Sequence, residues 1–408
     1  MRLLYLHPKT WSGEYAMLKK LREFGHQVCV LEEARNEAAA ARQIRADFLE
    51  PGDGIATLWY NPRRGWEKIF TWPADRIFKS AFDGRNLAHR MWLIREAARQ
   101  FRPDVVLCTD GFTYAIPAAF LKRLGLLSVP LLASYIGGDI LDCPEAGVGK
   151  RRTPMVSWLI RNSLPGIDTL RPLCRSLADI LLKEGADPKR IHTIPIQLGA
   201  QLAELDRIYA RRGEIGAALR RKYGIAPDCP LIVTLSGNHK GKGLHLLAQA
   251  WPEVLRAVPG ARWLLCGPDH PWLAEAVWPL LRQQALEKTV HFAGALSGQA
   301  VYEHLAAGDV HVNPTLCEGL NMVTVEAAAV GTPTVTSDGA GIADWVDRLQ
   351  AGLVVPVGDV NALAQALITA LQSRELRLIW QERSRSMAPD FSLERIAAEL
   401  LALLPESS

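Results

Sequence analysis

Two carboxylates, Glu318 and Glu326, stand eight positions apart, and a lysine set among glycines, Lys242, lies upstream of them. Carboxylates accept hydrogen bonds from hydroxyls, and each such charge-assisted bond is worth about 1.5–3 kcal/mol. An ammonium beside glycines suits phosphate, because the glycines let the backbone approach and the lysine supplies charge. Gly319, Leu320 and Asn321 follow the first carboxylate, and Gly319 and Asn321 tolerate tight or left-handed backbone. Met322 to Val330 is rich in alanine and predicts a short helix despite three valines. Its N-terminus, after a glycine turn, is a ready anion site. Eight residues of helical rise span roughly 12 Å, so the two carboxylates could hold hydroxyls at both ends of a sugar nucleotide. The plainer alternative is an amphipathic helix with two solvated glutamates.

These residues need elements that present them. Lys242 belongs to Gly237-Asn238-His239-Lys240-Gly241-Lys242-Gly243, between an expected strand at 231–236 and an expected helix at 244–258. Strand, glycine-lysine turn and helix together make a phosphate cradle, with Lys240 or His239 as further sources of charge. The chain opens the same way. An apolar run at 3–6 leads through a loop containing Ser12-Gly13 to helical spacing at 15–24 and a second apolar run at 27–31. That order begins a doubly wound α/β sheet, which binds ligands at the carboxyl ends of its strands. Strands are expected at 103–109, 130–135, 263–266, 290–294 (ending in Gly294), 309–313, 334–337 and 353–356. Helices are expected at 38–47, 86–102, 113–124, 157–163, 173–184, 301–307 and 362–372. The first domain then covers 1–200, a linker 198–209, and the second domain 210–387, with a last helix over about 388–408.

Composition bounds the class. The 408 residues suffice for two or three domains, and 49% hydrophobic with 22% charged residues is ordinary for a folded globular chain. Seven scattered cysteines form no Cys-x-x-Cys pair, which argues for a reducing, cytoplasmic setting and against a disulfide frame or zinc site. No signal peptide and no run of eighteen apolar residues is visible. Charge is uneven: residues 1–200 carry a balance of +8 and residues 201–408 a balance of −4. The stretch from Trp59 to Trp72 interleaves tryptophans with Arg63, Arg64 and Lys68. It suits an interfacial membrane contact, a flap over an acceptor site, or a helix packed on the core by its rings. No nucleic-acid-binding motif accompanies it.

The 313–341 stretch resembles the E-x7-E signature of the retaining glycosyltransferases of family four, whose fold is called GT-B: two Rossmann-like doubly wound domains facing across a cleft. The flanks match as well: Pro314 before, Gly319 after the first glutamate, Glu326-Ala327, and Gly331-Thr332-Pro333. Phe101-Arg102-Pro103-Asp104-Val105-Val106, Gly137-Gly138-Asp139, Lys242-Gly243 and the last helix after Phe391 are similar to the family too. Three positions depart from it. Ser12 replaces the first of two glycines, leaving Gly13; Ile136 stands where many members have histidine; and Asn238 stands where the family has arginine.

The resemblance implies a hexosyltransferase that moves a sugar from a UDP- or GDP-linked donor to a glycan, lipid-linked or small-molecule acceptor hydroxyl, with retention, without a metal or other cofactor. Glu318, Lys242 and Asp139 would carry the transfer. Gly13, Gly237, Asn238, Lys240, Gly294, Gly319, Leu320, Asn321 and Glu326 would complete the donor site, with Glu318 on the sugar hydroxyls and Glu326 on the ribose. Gly137, Gly138 and Asp139 would face the acceptor, Asp139 either binding a hydroxyl or fixing its loop. Retention would use the leaving phosphate as base, and domain closure would exclude water. Other readings are a different GT-B enzyme, such as an epimerase, or a non-catalytic nucleotide-sugar or membrane-binding relative.

Overall fold

The computed structural model describes residues 1–6, 12–33, 55–60, 87–151 and 153–405. The expected helix at 38–47 and most of the tryptophan-rich stretch, 61–72, lie outside them. The chain divides into two compact units. One comprises Met1–Asp142, Gly149–Gly199 and Leu393–Ser408; the other comprises Cys143–Val148 and Ala200–Ser392.

The first unit is built on strands β1 (Arg2–Leu6), β2 (Gln27–Glu33), β3 (Ala56–Tyr60), β4 (Val105–Cys108), β5 (Leu131–Tyr135) and β6 (Thr169–Pro172). They form one sheet in the order β3-β2-β1-β4-β5-β6, and every pairing is parallel. Runs such as Val105-Val-Leu-Cys108, buried at all four positions, read as continuous apolar strands because helices cover both faces of such sheets. Helix Leu393–Ala402 packs on helix Ser12–Glu23, and Ile396, Ala397 and Leu400 share a core with Leu18, Leu21 and Val30.

The second unit repeats the plan with β7 (Leu231–Leu235), β8 (Arg262–Cys266), β9 (Val290–Gly294), β10 (Val310–Asn313), β11 (Thr334–Ser337) and β12 (Gly352–Val355). Its parallel sheet runs β12-β11-β10-β7-β8-β9. The core includes Trp251 and Trp263, whose rings meet edge to face 6.0 Å apart. Their indole N–H groups donate to Thr289 and Thr234, so both rings are buried without an orphaned donor.

In both sheets the order reverses beside the first strand, between β1 and β4 and between β7 and β10. Loops leaving the carboxyl ends of such a strand pair diverge and open a crevice. The Lys242 loop leaves β7 and the Glu318 loop leaves β10. The expected linker at 198–209 is corrected: helix Leu202–Ala210 occupies it and helix Arg212–Lys222 follows, both within the second unit.

Candidate active site

The two loops at the β7–β10 crevice are fastened to each other by main chain. Gly241 O accepts from Leu316 N at 2.8 Å and from Thr315 Oγ1 at 2.8 Å. Gly243 has φ +67°, and a Cβ there would lie 1.8 Å from Pro314 O. Only glycine permits that approach. Glu318 N donates to Gly339 O at 2.9 Å, which ties the loop to the turn after β11.

On this frame Lys242 Nζ lies 2.6 Å from Glu318 Oε1, while Asn321 Nδ2 donates to Glu318 Oε2 at 2.6 Å. Both members of the ion pair keep part of their side chains in solvent, 17% for Lys242 and 23% for Glu318. Asn321 adopts left-handed backbone, φ 74°, and its Oδ1 caps helix Met322–Ala329 by accepting from Thr324 N at 2.9 Å and Thr324 Oγ1 at 2.8 Å. One asparagine therefore starts the helix and aims the carboxylate.

Glu326 lies inside that helix, half-buried, and its carboxylate has no hydrogen-bond or ion-pair partner among the described residues. Burial pushes its carboxyl up to about 7. Its charge is felt by the Tyr302 hydroxyl, which burial, and then Glu326, raise above its usual range. A half-buried carboxylate without a partner is an acceptor in want of donors.

His239 begins the short turn Lys240–Lys242, its Nδ1 accepting from Gly241 N at 3.2 Å. Burial, and then the Lys242 charge, hold its pKa below the ordinary value. Lys240 is exposed and lies over the Trp272 ring, 5.9 Å from its centre. Gly237 is exposed, and Gly294 ends β9 with φ +75°. Leu320 is buried. Asn238 is buried completely: its Oδ1 accepts from Ser236 Oγ at 2.9 Å and its Nδ2 donates to Pro268 O at 2.9 Å. It joins the β7 and β8 loop ends, and its side chain is spent there rather than facing a ligand.

One correction adjoins this site. The cysteines do not all stand apart: Cys143 and Cys317 form a disulfide across 174 positions, directly before Glu318. Cys143 N and Val148 O, and Val148 N and Cys143 O, close the 143–148 segment on itself, and Ala146 O would lie 3.0 Å from a Cβ on Gly241. The segment thus covers the lysine loop and is bonded to the glutamate loop. Scattered spacing hid the pair because the two cysteines meet only in the folded unit.

In the first unit, Gly13 is buried in the first turn of helix Ser12–Glu23, and Gln197 Nε2 donates to its carbonyl. Asp139 is buried beside Gly137 (φ +117°) and Gly138. Its carboxylate accepts from Gly111 N at 2.7 Å, Gly137 N at 2.8 Å and Ile136 N at 3.1 Å. Of the two roles open to it, fixing the loop is the one its contacts describe. Burial, and then the Asp110 carboxylate, push it up to about 6 against those three donors. A Cβ on Gly111 would lie 2.1 Å from the Tyr135 ring, so glycine is required where the donor meets Asp139. Ile136 is 45% exposed. Arg151 pairs with Glu184 at 2.6 Å.

Among the described residues no group of three or more His, Cys, Asp or Glu is placed to hold a metal, and no helix is long and apolar enough to cross a membrane. Thr315, Tyr302 and the disulfide were not legible as site features. Thr315 alone had a signal, its place one residue after the Pro314 that precedes Glu318.

Known proteins resemble this chain in sequence and in fold. A family described as "Glycosyl transferase 4-like domain" matches residues 15–197, and one described as "Glycosyl transferases group 1" matches residues 229–373. The putative colanic acid biosynthesis glycosyltransferase WcaL of Escherichia coli is 26% identical over 381 residues, 90% of this chain and 86% of the relative. N-acetyl-alpha-D-glucosaminyl L-malate synthase of Bacillus anthracis is 28% identical over 305 residues, 74% of this chain and 75% of the relative. The crystal structure of Anabaena HepE in complex with UDP covers 99% of each chain with a TM-score of 0.75 at 15% identity, a likeness of fold. With both family matches falling on the two Rossmann-like units, the chain belongs to the group 1 glycosyltransferases of GT-B fold.

Proposed function

We propose that this glycosyltransferase takes its sugar from a nucleoside diphosphate and transfers it with retention to an acceptor hydroxyl. The carrying observation is the Lys242–Glu318–Asn321 constellation at the carboxyl ends of β7 and β10. Its support from outside the chain is that HepE was solved with UDP and with UDP-glucose.

In this reading the Lys242 ammonium and the N–H groups of Met322 and Val323, which open helix Met322–Ala329, take the charge that gathers on the leaving diphosphate, an oxyanion-type role. Glu318, held at both oxygens, accepts from hydroxyls of the donor sugar. Glu326 accepts from the ribose hydroxyls and so gains the donors it lacks. The bond from the anomeric carbon to the diphosphate oxygen breaks while the acceptor oxygen bonds to the same face. The acceptor proton passes to the departing phosphate, so no protein nucleophile is required. Lys242 and the helix terminus supply the positive charge a metal would otherwise provide, so metal-independent transfer is part of the proposal. The acceptor is a glycan, lipid-linked or small-molecule hydroxyl, and contact with a membrane surface is an expectation on the 59–72 stretch.

The test incubates the protein with UDP- and GDP-sugars and follows nucleotide release. Slow release from one of them, lost in Lys242→Ala, is the expected result. No release and no binding of any nucleotide sugar overturns the reading.

A further inference from the structure

The second unit contains another cavity, of about 290 Å³, away from the β7–β10 crevice. Its wall includes Gly308, Asp309 and Pro333, which lead into β10 and β11, so it opens at the amino ends of these strands, opposite the carboxyl end of β10 from which the Glu318 loop leaves. Four arginines line it: Arg212 and Arg220 from helix Arg212–Lys222, and Arg374 and Arg377 from helix Arg374–Arg385. Asp309 is the one carboxylate of the lining. This surplus of positive charge sits in a half of the chain, residues 201–408, whose overall balance is −4.

The guanidinium groups are partly anchored and partly unspent. Arg220 donates to Asp309 Oδ2 at 3.0 Å and Ala307 O at 3.1 Å, yet its Nε is buried without an acceptor. Arg377 Nη1 donates to Ala370 O and Leu371 O, both at 2.7 Å. Arg212 donates to Gly308 O at 3.3 Å and to Gln381 Oε1. Arg374 is exposed and has no hydrogen-bond or ion-pair partner among the described residues. An arginine has five N–H donors, so anchoring leaves others for a ligand.

The helix also makes room. Gly213 and Gly216 line the cavity between Arg212 and Arg220. Glycine inside a helix is unfavourable relative to alanine, and here it keeps the floor open: a Cβ on Gly216 would lie 3.1 Å from Arg220 Nη1. Pro333, Leu378 and Ala306 give the same cavity an uncharged side.

From these features we infer that the arginine-lined cavity binds a small phosphate monoester, its phosphate against the guanidinium groups and its organic part against the glycine floor and apolar side. Arginine forks match phosphate oxygens in paired hydrogen bonds. The volume lies at the low end for ligand pockets, which suits a sugar-phosphate-sized molecule rather than a whole nucleotide sugar.

The test measures thermal stabilisation of the full chain by millimolar ribose 5-phosphate, with ribose and inorganic phosphate as controls. Ribose 5-phosphate should stabilise the wild type and, equally, Lys242→Ala, in which the donor crevice has lost its phosphate charge. Arg374→Ala should weaken the binding about tenfold. Gly216→Ala should weaken it too while raising the unliganded Tm, which separates loss of the cavity from loss of the fold. The inference is overturned if ribose 5-phosphate gives no stabilisation, or if its effect survives Arg374→Ala and disappears in Lys242→Ala. Equal binding of inorganic phosphate overturns the ester assignment.

Discussion

Lys242 Nζ and Glu318 Oε1 lie 2.6 Å apart, although 76 positions separate them in the chain. Fold topology brings them together, because β7 and β10 are the adjacent strands at which the sheet order reverses. The pair keeps only 17% and 23% of its side chains in solvent, and the cost of desolvating the two charges offsets much of their attraction. Its consequence is positional: the ammonium is held at the crevice where the proposed function places the diphosphate.

Lys242→Ala should therefore leave the fold intact and reduce kcat/KM by about 10²–10³, the scale of losing one preorganised donor to a developing negative charge. Glu318→Ala should also impair transfer. The double variant should fall short of the product of the two, since each residue positions the other. Additive losses, measured by steady-state kinetics with one donor, would show that the two act separately.

Glu326 gives a prediction with a pH sign. Its folded carboxyl titrates at about 7, against 4.5 for the free group, with burial as the cause. The cost of ionising it is absent below about pH 4.5 and fully felt above about pH 7, so this group destabilises the fold as pH rises through that window. Glu326→Gln should raise stability at pH 8 by at most about 3 kcal/mol, less in proportion to the solvent the half-buried group retains. The same variant should weaken nucleoside diphosphate binding by about 1.5–3 kcal/mol. Wild-type affinity should drop as pH falls below 7, and that dependence should vanish in the variant. Calorimetry at pH 6 and 8 decides it; unchanged affinity removes Glu326 from the site.

How far the sequence reaches is seen at particular residues. Apolar strands such as Leu231–Leu235 and Val105–Cys108 were legible because a doubly covered parallel sheet demands unbroken hydrophobic runs. Glu318, Asn321 and Glu326 were legible as a local motif on one loop and helix. Helix Arg374–Arg385 was not, since only Trp380 and Ser384 are buried while Leu378 and Ile379 face solvent, so its apolar residues do not mark the buried face. Helix Arg212–Lys222 was obscured by its two glycines, which lower helix propensity. Asn238 looked like a ligand-facing polar residue and Asp139 stayed open between ligand and loop, because a sequence shows that a side chain can hydrogen-bond but not that its own loop has already claimed it.

Asp139 accepts three backbone N–H groups inside the first unit. Asp139→Ala would leave those donors buried and unpaired at about 1–3 kcal/mol each, so a loss of several kcal/mol in chemical denaturation is expected. Donor binding, assigned to the second unit, should persist in the folded fraction. A stable Asp139→Ala protein lacking only transfer would instead make Asp139 a residue that touches substrate.

The Cys143–Cys317 bond bears on the Glu318 carboxylate. It fastens the 143–148 segment to the residue before Glu318, and the lysine loop lies under that segment at Gly241. In denaturant without reductant, a thiol reagent should label five of the seven cysteines: 29, 108, 174, 229 and 266. Two electrons and two protons from a phosphine or dithiol reductant convert the bond to two thiols, and all seven should then react. Closing so long a loop limits the unfolded chain, and loss of a native bond typically costs about 2–5 kcal/mol. Reduction should therefore lower Tm, and it should also weaken nucleotide-sugar binding, because the glutamate loop loses its covalent anchor and keeps only hydrogen bonds such as Leu316 N to Gly241 O and Glu318 N to Gly339 O. Cys143→Ser should reproduce both effects, and added reductant should then change neither. A variant as stable and as avid as the wild type, or seven reactive thiols before reduction, would show that the loop is positioned by its main-chain bonds alone.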